Sequence, residues 1–376
     1  MKSILLKCSV FIFLLSAAFA SNAQRYKDKI FSSTDTTRDI KYGAATNVSG
    51  SMQDLMMDFY EPTGDVLDKR PLIVYVHGGG FTSGDKSELH IIGLCDQMAK
   101  RGYAVASINY RLDPDFDIYN STADRRAMID AMHDARAAVR FFRKNATTYK
   151  IDTNFIVIGG ESAGAATSML VNYVDEQSEL YSYPMANPNN IEGNSGNPGF
   201  SSETDYTLCL CGLMLDTSAI NTGDQPMLWM HGTEDNFVPY SLAQIITTRA
   251  SNVGLEFTDY TYQGAVHCPW YVSLPNWLFY LDTTLNRITD FLYPKVTASV
   301  GLNELNSINI YPNPVKNTLT VVGLESEISI YDLLGKEVEE LEMQYHSSDI
   351  TIDVSALKPG MYFIRSEGVL LKFVKE

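Results

Sequence analysis

The residues that carry chemistry gather around one serine. The stretch "FIVIGGESAGAATSML", residues 155–170, reads as a buried strand, a turn holding Gly159, Gly160 and Gly164, and then a helix, with Ser162 at the turn. A serine at the tip of a tight strand-to-helix turn takes strained backbone angles, and side chains two positions to either side would collide with the neighbouring strand and helix. Gly160 and Gly164 meet that requirement, and the turn lifts the hydroxyl above the sheet. A serine hydroxyl is a poor nucleophile at neutral pH and needs an adjacent base, for which histidine is suited.

The chain has six histidines. His90 and His133 fall on helical patterns before the serine, His77 belongs to the glycine turn "HGGGF", and His346 lies in a β-rich C-terminal region. His231 opens "HGTEDNFVP" just before a turn and reads as structural. His267, in "QGAVHCPW", sits on a loop after the next strand that can reach back over the sheet, and it takes the base role. Asp235, with Glu234 and Asp216 as rivals, is expected to orient it, so that the chain order Ser162, Asp235, His267 follows that of a nucleophile elbow in a parallel sheet. A strand ending in His-Gly-Gly-Gly exposes backbone N–H groups with no side chains in the way, which is what a developing oxyanion needs. The N–H groups of Gly79, Gly80 and Ala163, the last at a helix N-terminus, are the expected oxyanion hole. Trp270 and Tyr240 fit either a substrate pocket or simple packing. Chemistry of this kind calls for no metal or cofactor, and its rate should rise as an ordinary imidazole loses its proton, at about pH 6 to 7.

These groups need a frame. Strand-like runs appear at 55–60, 72–77, 104–110, 155–158, 210–215, 227–231 and 256–262, separated mostly by helical patterns. The clearest helix spans 123–143, where Met128, Met132, Ala135, Val139 and Phe142 recur at spacings of three and four and form one apolar stripe. Buried strands alternating with such helices predict an α/β fold, a mostly parallel, doubly wound sheet covered on both faces. The segment 175–206, rich in Asn, Ser, Gly and Pro, interrupts the rhythm and is expected to be a loop over the site.

With 376 residues the chain has room for one large domain and a smaller one. Residues 1–23 read as a signal peptide, with Lys2 and Lys7 ahead of the apolar run "SVFIFLLSAAFA" and small residues suited to cleavage. That run is too short to span a bilayer comfortably, and no later stretch approaches 18 apolar residues, so no stable membrane span is expected. The net charge of −16, or −18 once the two leader lysines are gone, argues against nucleic acid. Of five cysteines, Cys95, Cys209, Cys211 and Cys268 remain after the leader. Cys209 and Cys211 would share one face of a strand as packed thiols, and no bridge is assigned. From about residue 308 short strands follow one another with no long helix, "TLTVVG", "EISIYDLLG", "ITIDVSA", "MYFIRS" and "VLLKFVKE". The expected organisation is a catalytic domain at 24–294, a linker at 295–307 and a small all-β sandwich at 308–376.

"VYVHGGGFTSGDK", "GYAVASINYRL", "DARAAVRFFRKNATTYKID", "VIGGESAG" and "HGTEDNFVP" together resemble the α/β-hydrolase carboxylesterases, near the group that contains feruloyl and acetyl-xylan esterases, over about residues 36–293. "IYPNPVKNTLTV", "ISIYDLLGKEV" and "IDVSALKPGMYFIR" resemble the type A C-terminal sorting domain of the type IX secretion system. The resemblances imply an α/β-hydrolase fold, a secreted or cell-surface protein exported through the periplasm, the type IX machinery as partner, and a serine carboxylesterase acting on a small-molecule or polysaccharide ester. Short-chain or aromatic acyl esters, including those on plant polysaccharides, are expected. A serine peptidase of the same fold and a non-catalytic binding protein are the competing readings. A carbohydrate-binding tail is disfavoured because the C-terminal region has no tryptophan.

Overall fold

The computed structural model describes residues 24–117, 125–182, 190–299, 309–322, 328–338, 341–345, 349–366 and 369–376. The expected signal peptide, residues 1–23, and His346 lie outside the described residues. The chain divides into two compact units, Met1–Tyr293 and Pro294–Glu376.

In the first unit, eight strands form one sheet: β1 (Thr34–Thr46), β2 (Met52–Pro62), β3 (Arg70–Val76), β4 (Ala104–Ile108), β5 (Ile151–Glu161), β6 (Tyr206–Leu210), β7 (Met227–Gly232) and β8 (Phe257–Tyr262). Their order is β1-β2-β4-β3-β5-β6-β7-β8. The six strands from β4 to β8 in that order run parallel, and β1 and β2 add an antiparallel edge. The helices are α1 (Leu89–Ala99), α2 (Arg126–Lys144), α3 (Ala146–Tyr149), α4 (Ala163–Tyr173), α5 (Tyr240–Val253) and α6 (Trp277–Ser299).

Alternation along β3 shows how both faces are covered. Leu72, Val74 and Val76 join a core with apolar residues of α2, α4 and α5. Successive side chains of a strand point to opposite faces, so Ile73 and Tyr75 face the other side, where Gly93 of α1 lies against Leu281 of α6. The apolar stripe read from the sequence is buried in α2, from Met128 to Phe142. This is the mostly parallel α/β sheet the sequence predicts.

Two expectations are corrected and one strand is added. The strand read at 210–215 is β6, which ends at Leu210; Cys211 takes φ 48°, so the chain leaves the sheet there, and beyond it Leu213 lines a cavity while Met214 joins the core. Strand β1 has no counterpart among the expected strands, because "TDTTRDIKYGAAT" is a largely exposed edge with no apolar run. The segment 175–206 does not border the cavity among its described residues. Its second half lies along β1 and α2: Ser195 O accepts from Ala44 N at 2.9 Å, Asn197 Nδ2 donates to Tyr42 O at 2.7 Å, and Arg140 Nε donates to Gly196 O at 3.0 Å. Its polar composition satisfies an edge strand and helix arginines.

The second unit is a pair of antiparallel sheets around one core. Strands β9 (Asn309–Tyr311), β10 (Thr318–Val322), β12 (Met343–Tyr345) and β13 (Asp349–Asp353) form one, in the order β12-β13-β10-β9; β11 (Ser329–Asp332), β14 (Gly360–Ser366) and β15 (Val369–Lys375) form the other. Alternate residues such as Leu319, Val321, Ile350, Ile352 and Ile364 supply the core. Helix α6 runs through Pro294 to Ser299, inside the stretch read as a linker.

A buried ion pair ties the insertion to the sheet edge. Asp134, fully buried on α2, accepts from Arg111 Nη2 at 2.7 Å, from Arg111 N at 2.8 Å and from Ser195 Oγ at 2.6 Å. Removing one partner of a buried pair strands the other charge away from water. Asp134→Ala is therefore expected to lower unfolding free energy by about 3–5 kcal/mol in chemical denaturation, and a loss below about 1 kcal/mol would contradict this account of the insertion.

Candidate active site

Strand β5 ends at Glu161 and helix α4 begins at Ala163, leaving Ser162 alone in the turn with φ 53° and ψ −117°. Ser162 N donates to Leu210 O of β6 at 2.9 Å, and Ser162 O accepts from Ala166 N at 3.0 Å as the first turn of α4 closes. A Cβ at either Gly160 or Gly164 would strike the Val76 carbonyl oxygen of β3. The glycines thus let the turn sit against the neighbouring strand, and the strained backbone angles fall on the serine.

The loop after β8, residues 263–276, carries His267 back over the sheet. Glu234 N donates to Ala265 O at 2.9 Å and Gly264 N to Thr233 Oγ1 at 2.8 Å, which fastens this loop to the one after β7. His267 Nε2 lies 2.8 Å from Ser162 Oγ, and Nδ1 lies 2.6 Å from Asp235 Oδ2. A carboxylate only accepts, so Nδ1 holds the proton and Nε2 is left to accept from the serine hydroxyl. Asp235 Oδ1 accepts from Phe237 N at 2.9 Å and Val238 N at 2.8 Å.

His231, read as structural, stands behind the acid: its Nε2 is 3.1 Å from Asp235 Oδ2 and 2.9 Å from Val238 O. Burial raises the Asp235 carboxyl, but hydrogen bonds from His231 and His267, the charge interaction with His267 and the Val238 N–H outweigh it and hold the group far below the usual carboxylate range. Of the rivals, Asp216 caps a short turn by accepting from Ser218 N at 2.9 Å, and Glu234 faces solvent.

Ser162 and His267 open onto a cavity of about 700 Å³ that Gly79, Gly80 and Ala163 also line. Gly79 has φ 105° and its carbonyl accepts from Thr82 N and Ser83 N, both at 3.1 Å, so the glycine turn curls back tightly. Phe81, Leu213, Phe237, Val266 and Leu274 make the walls apolar, and among the described residues no Asp, Glu, Lys or Arg lines the cavity. Tyr271 borders it, whereas Trp270 and Tyr240 do not. Trp270 is buried against Glu161, and the Tyr240 hydroxyl is 3.0 Å from Thr261 Oγ1.

Residues 57–206 match the BD-FAE family, and residues 309–375 match the secretion system C-terminal sorting domain. The chain thus carries one stretch similar to BD-FAE and, beyond it, one similar to a secretion sorting domain. The matched stretch includes Ser162 and the glycine turn but ends before Asp235 and His267, which the fold brings to Ser162. The chain is 30% identical over 164 residues to a probable isoprenylcysteine alpha-carbonyl methylesterase of Arabidopsis thaliana, covering 44% of this chain and 33% of that protein. It is 32% identical over 114 residues to Gut esterase 1 of Caenorhabditis briggsae, covering 30% and 20%. The chain thus spans a third or less of the length of these curated relatives. Thermogutta terrifontis esterase 2, solved with propionate bound, superposes with TM-score 0.54 at 22% identity over 68% of this chain and 93% of that one, a likeness of fold.

One expectation for the strands of the first unit fails. Cys211 forms a disulfide with Cys268, while Cys209 is a free, buried thiol of the core. The two neighbouring cysteines do not share a strand face because the chain turns at Cys211, just past the end of β6. The bridge joins the residue after Leu210, which holds Ser162 N, to the residue after His267. No local pattern in the sequence announces this pairing, since it depends on the loop's return. Replacing both cysteines with serine should destabilise the fold by about 2–5 kcal/mol and lower turnover of any Ser162-dependent substrate. Unchanged thermal midpoint and turnover in that double variant would refute the role given to the bridge.

Proposed function

We propose that this protein is a secreted serine carboxylesterase. The observation that carries the reading is the continuous hydrogen-bond chain from Ser162 Oγ through His267 to Asp235, at the edge of a cavity that no Asp, Glu, Lys or Arg lines among the described residues. Ser162 attacks an ester carbonyl while His267 Nε2 takes the hydroxyl proton, and Asp235 stabilises the imidazolium that forms. The N–H groups of Gly79, Gly80 and Ala163 receive the oxyanion, with the N-terminus of α4 adding its positive dipole end. His267 then returns the proton to the leaving alcohol. Water, activated by the same imidazole, releases the acyl group from Ser162.

The esterase names among the curated relatives and the solved structures support ester over amide hydrolysis. An apolar cavity of this size suits uncharged acyl groups, short or aromatic, on small alcohols or on a plant polysaccharide. The sorting-domain match supports export through the type IX machinery to the cell surface or beyond.

Ser162→Ala is expected to cut hydrolysis of nitrophenyl acetate by about 10⁶-fold while leaving the thermal midpoint near that of the wild type. A panel of acetylated xylan, methyl ferulate and nitrophenyl esters of increasing length should give its highest kcat/KM on short or aromatic acyl groups. Retained activity in the alanine variant removes the mechanism, and faster turnover of long-chain emulsions than of soluble acetates removes the substrate assignment.

A further inference from the structure

The residue before the serine, Glu161, has no part in the chemistry above and is fully buried. Its Oε1 lies 2.6 Å from His90 Nε2 of α1. Its Oε2 accepts from Trp270 Nε1 at 2.6 Å and from the Tyr75 hydroxyl of β3 at 3.1 Å. The ring of Tyr271 packs 4.6 Å from that of His90. A carboxylate taken out of water costs several kcal/mol unless its lone pairs are satisfied, and a neutral residue would fill the same space without that cost. The three donors come from three separate elements, and one of them, Trp270, sits on the loop that carries His267.

We propose that Glu161 is a positioning residue that sets the distance between the nucleophile and its base. Its backbone is continuous with Ser162, and its side chain grips Trp270, three residues beyond His267. The loop is therefore held on one side of the imidazole by the Cys211–Cys268 bridge and just beyond it by this carboxylate. Glu161 touches no substrate, being sealed from the cavity. Donors around it and the charge of His90 hold the carboxyl below its ordinary range against the upward push of burial, so it stays an acceptor for all of them. The proposal rests on Ser162 as the nucleophile and His267 as its base.

Two variants test it. Trp270→Phe removes the N–H and keeps most of the ring, and Glu161→Gln keeps the volume and gives up one acceptor oxygen. Each is expected to lower kcat for nitrophenyl acetate by about 10- to 100-fold, the scale of a misplacement near 1 Å, with KM within about twofold of the wild type. The rate of Ser162 labelling by a fluorophosphonate should fall in parallel, because it uses the same serine and base. A purely structural role lowers the thermal midpoint and leaves kcat and labelling rate of the folded enzyme unchanged. That result in Trp270→Phe overturns the proposal even if Glu161→Gln fails to fold. Failure of the esterase reading shows separately, as hydrolysis surviving in Ser162→Ala.

Discussion

Helix α4 starts so close to strand β3 that a single methyl group at Gly160 or Gly164 would occupy the place of the Val76 carbonyl oxygen. The arrangement of the rest of the site follows from this approach. The chain turns from strand to helix within one residue, which leaves Ser162 at positive φ with its hydroxyl above the carboxyl edge of the sheet. The helix N-terminus follows directly on that serine, and Ala163 lines one cavity together with Gly79 and Gly80 of the glycine turn after β3. Strain at one serine is the cost of that convergence, and the hydrogen bond from Ser162 N to Leu210 O helps to hold it.

Two carboxylates then divide the work of placing the imidazole. Asp235 meets His267 directly and is braced by loop N–H groups and His231; Glu161 lies beneath the serine and holds the loop through Trp270. Burial pushes both groups up, and their hydrogen-bond donors pull both below the ordinary carboxylate range. A carboxyl held lower in the folded than in the unfolded chain adds stability above its unfolded value, about 4, and loses it as pH falls through the folded one. His90 is shifted the other way: burial pushes it down, but the Glu161 charge and hydrogen bond raise it overall, so its contribution is present below about 6.5 and fades as pH climbs through the raised value. The pair is thus best satisfied between these limits.

Much of this was legible in the sequence because it is local. A strand, a glycine-flanked serine and a helix lie within sixteen residues, the apolar stripe of α2 repeats at helical spacing, and the tail alternates in short strands. The polar edge β1 was invisible because one-sided, exposed pairing leaves no apolar run. Contacts made by the returning loop were equally silent: the Cys211–Cys268 bridge spans 57 residues, and Trp270 meets Glu161 across 109. The polar composition of 175–206 suits a loop over a site, whereas its described residues from Ile191 to Gly196 satisfy Arg136, Arg140 and the β1 backbone. Periodicity reports which face of an element is buried. It does not report which distant element covers it.

The central claim is that the hydrogen-bonded Ser162 and His267 form a working nucleophile and base. Mass mapping of the adduct left by a fluorophosphonate probe tests this most directly. The account predicts a single modified residue, Ser162, in the wild-type protein and a large loss of labelling rate in His267→Ala. Folded protein that stays unlabelled at Ser162, or labels there equally fast without the imidazole, would contradict it.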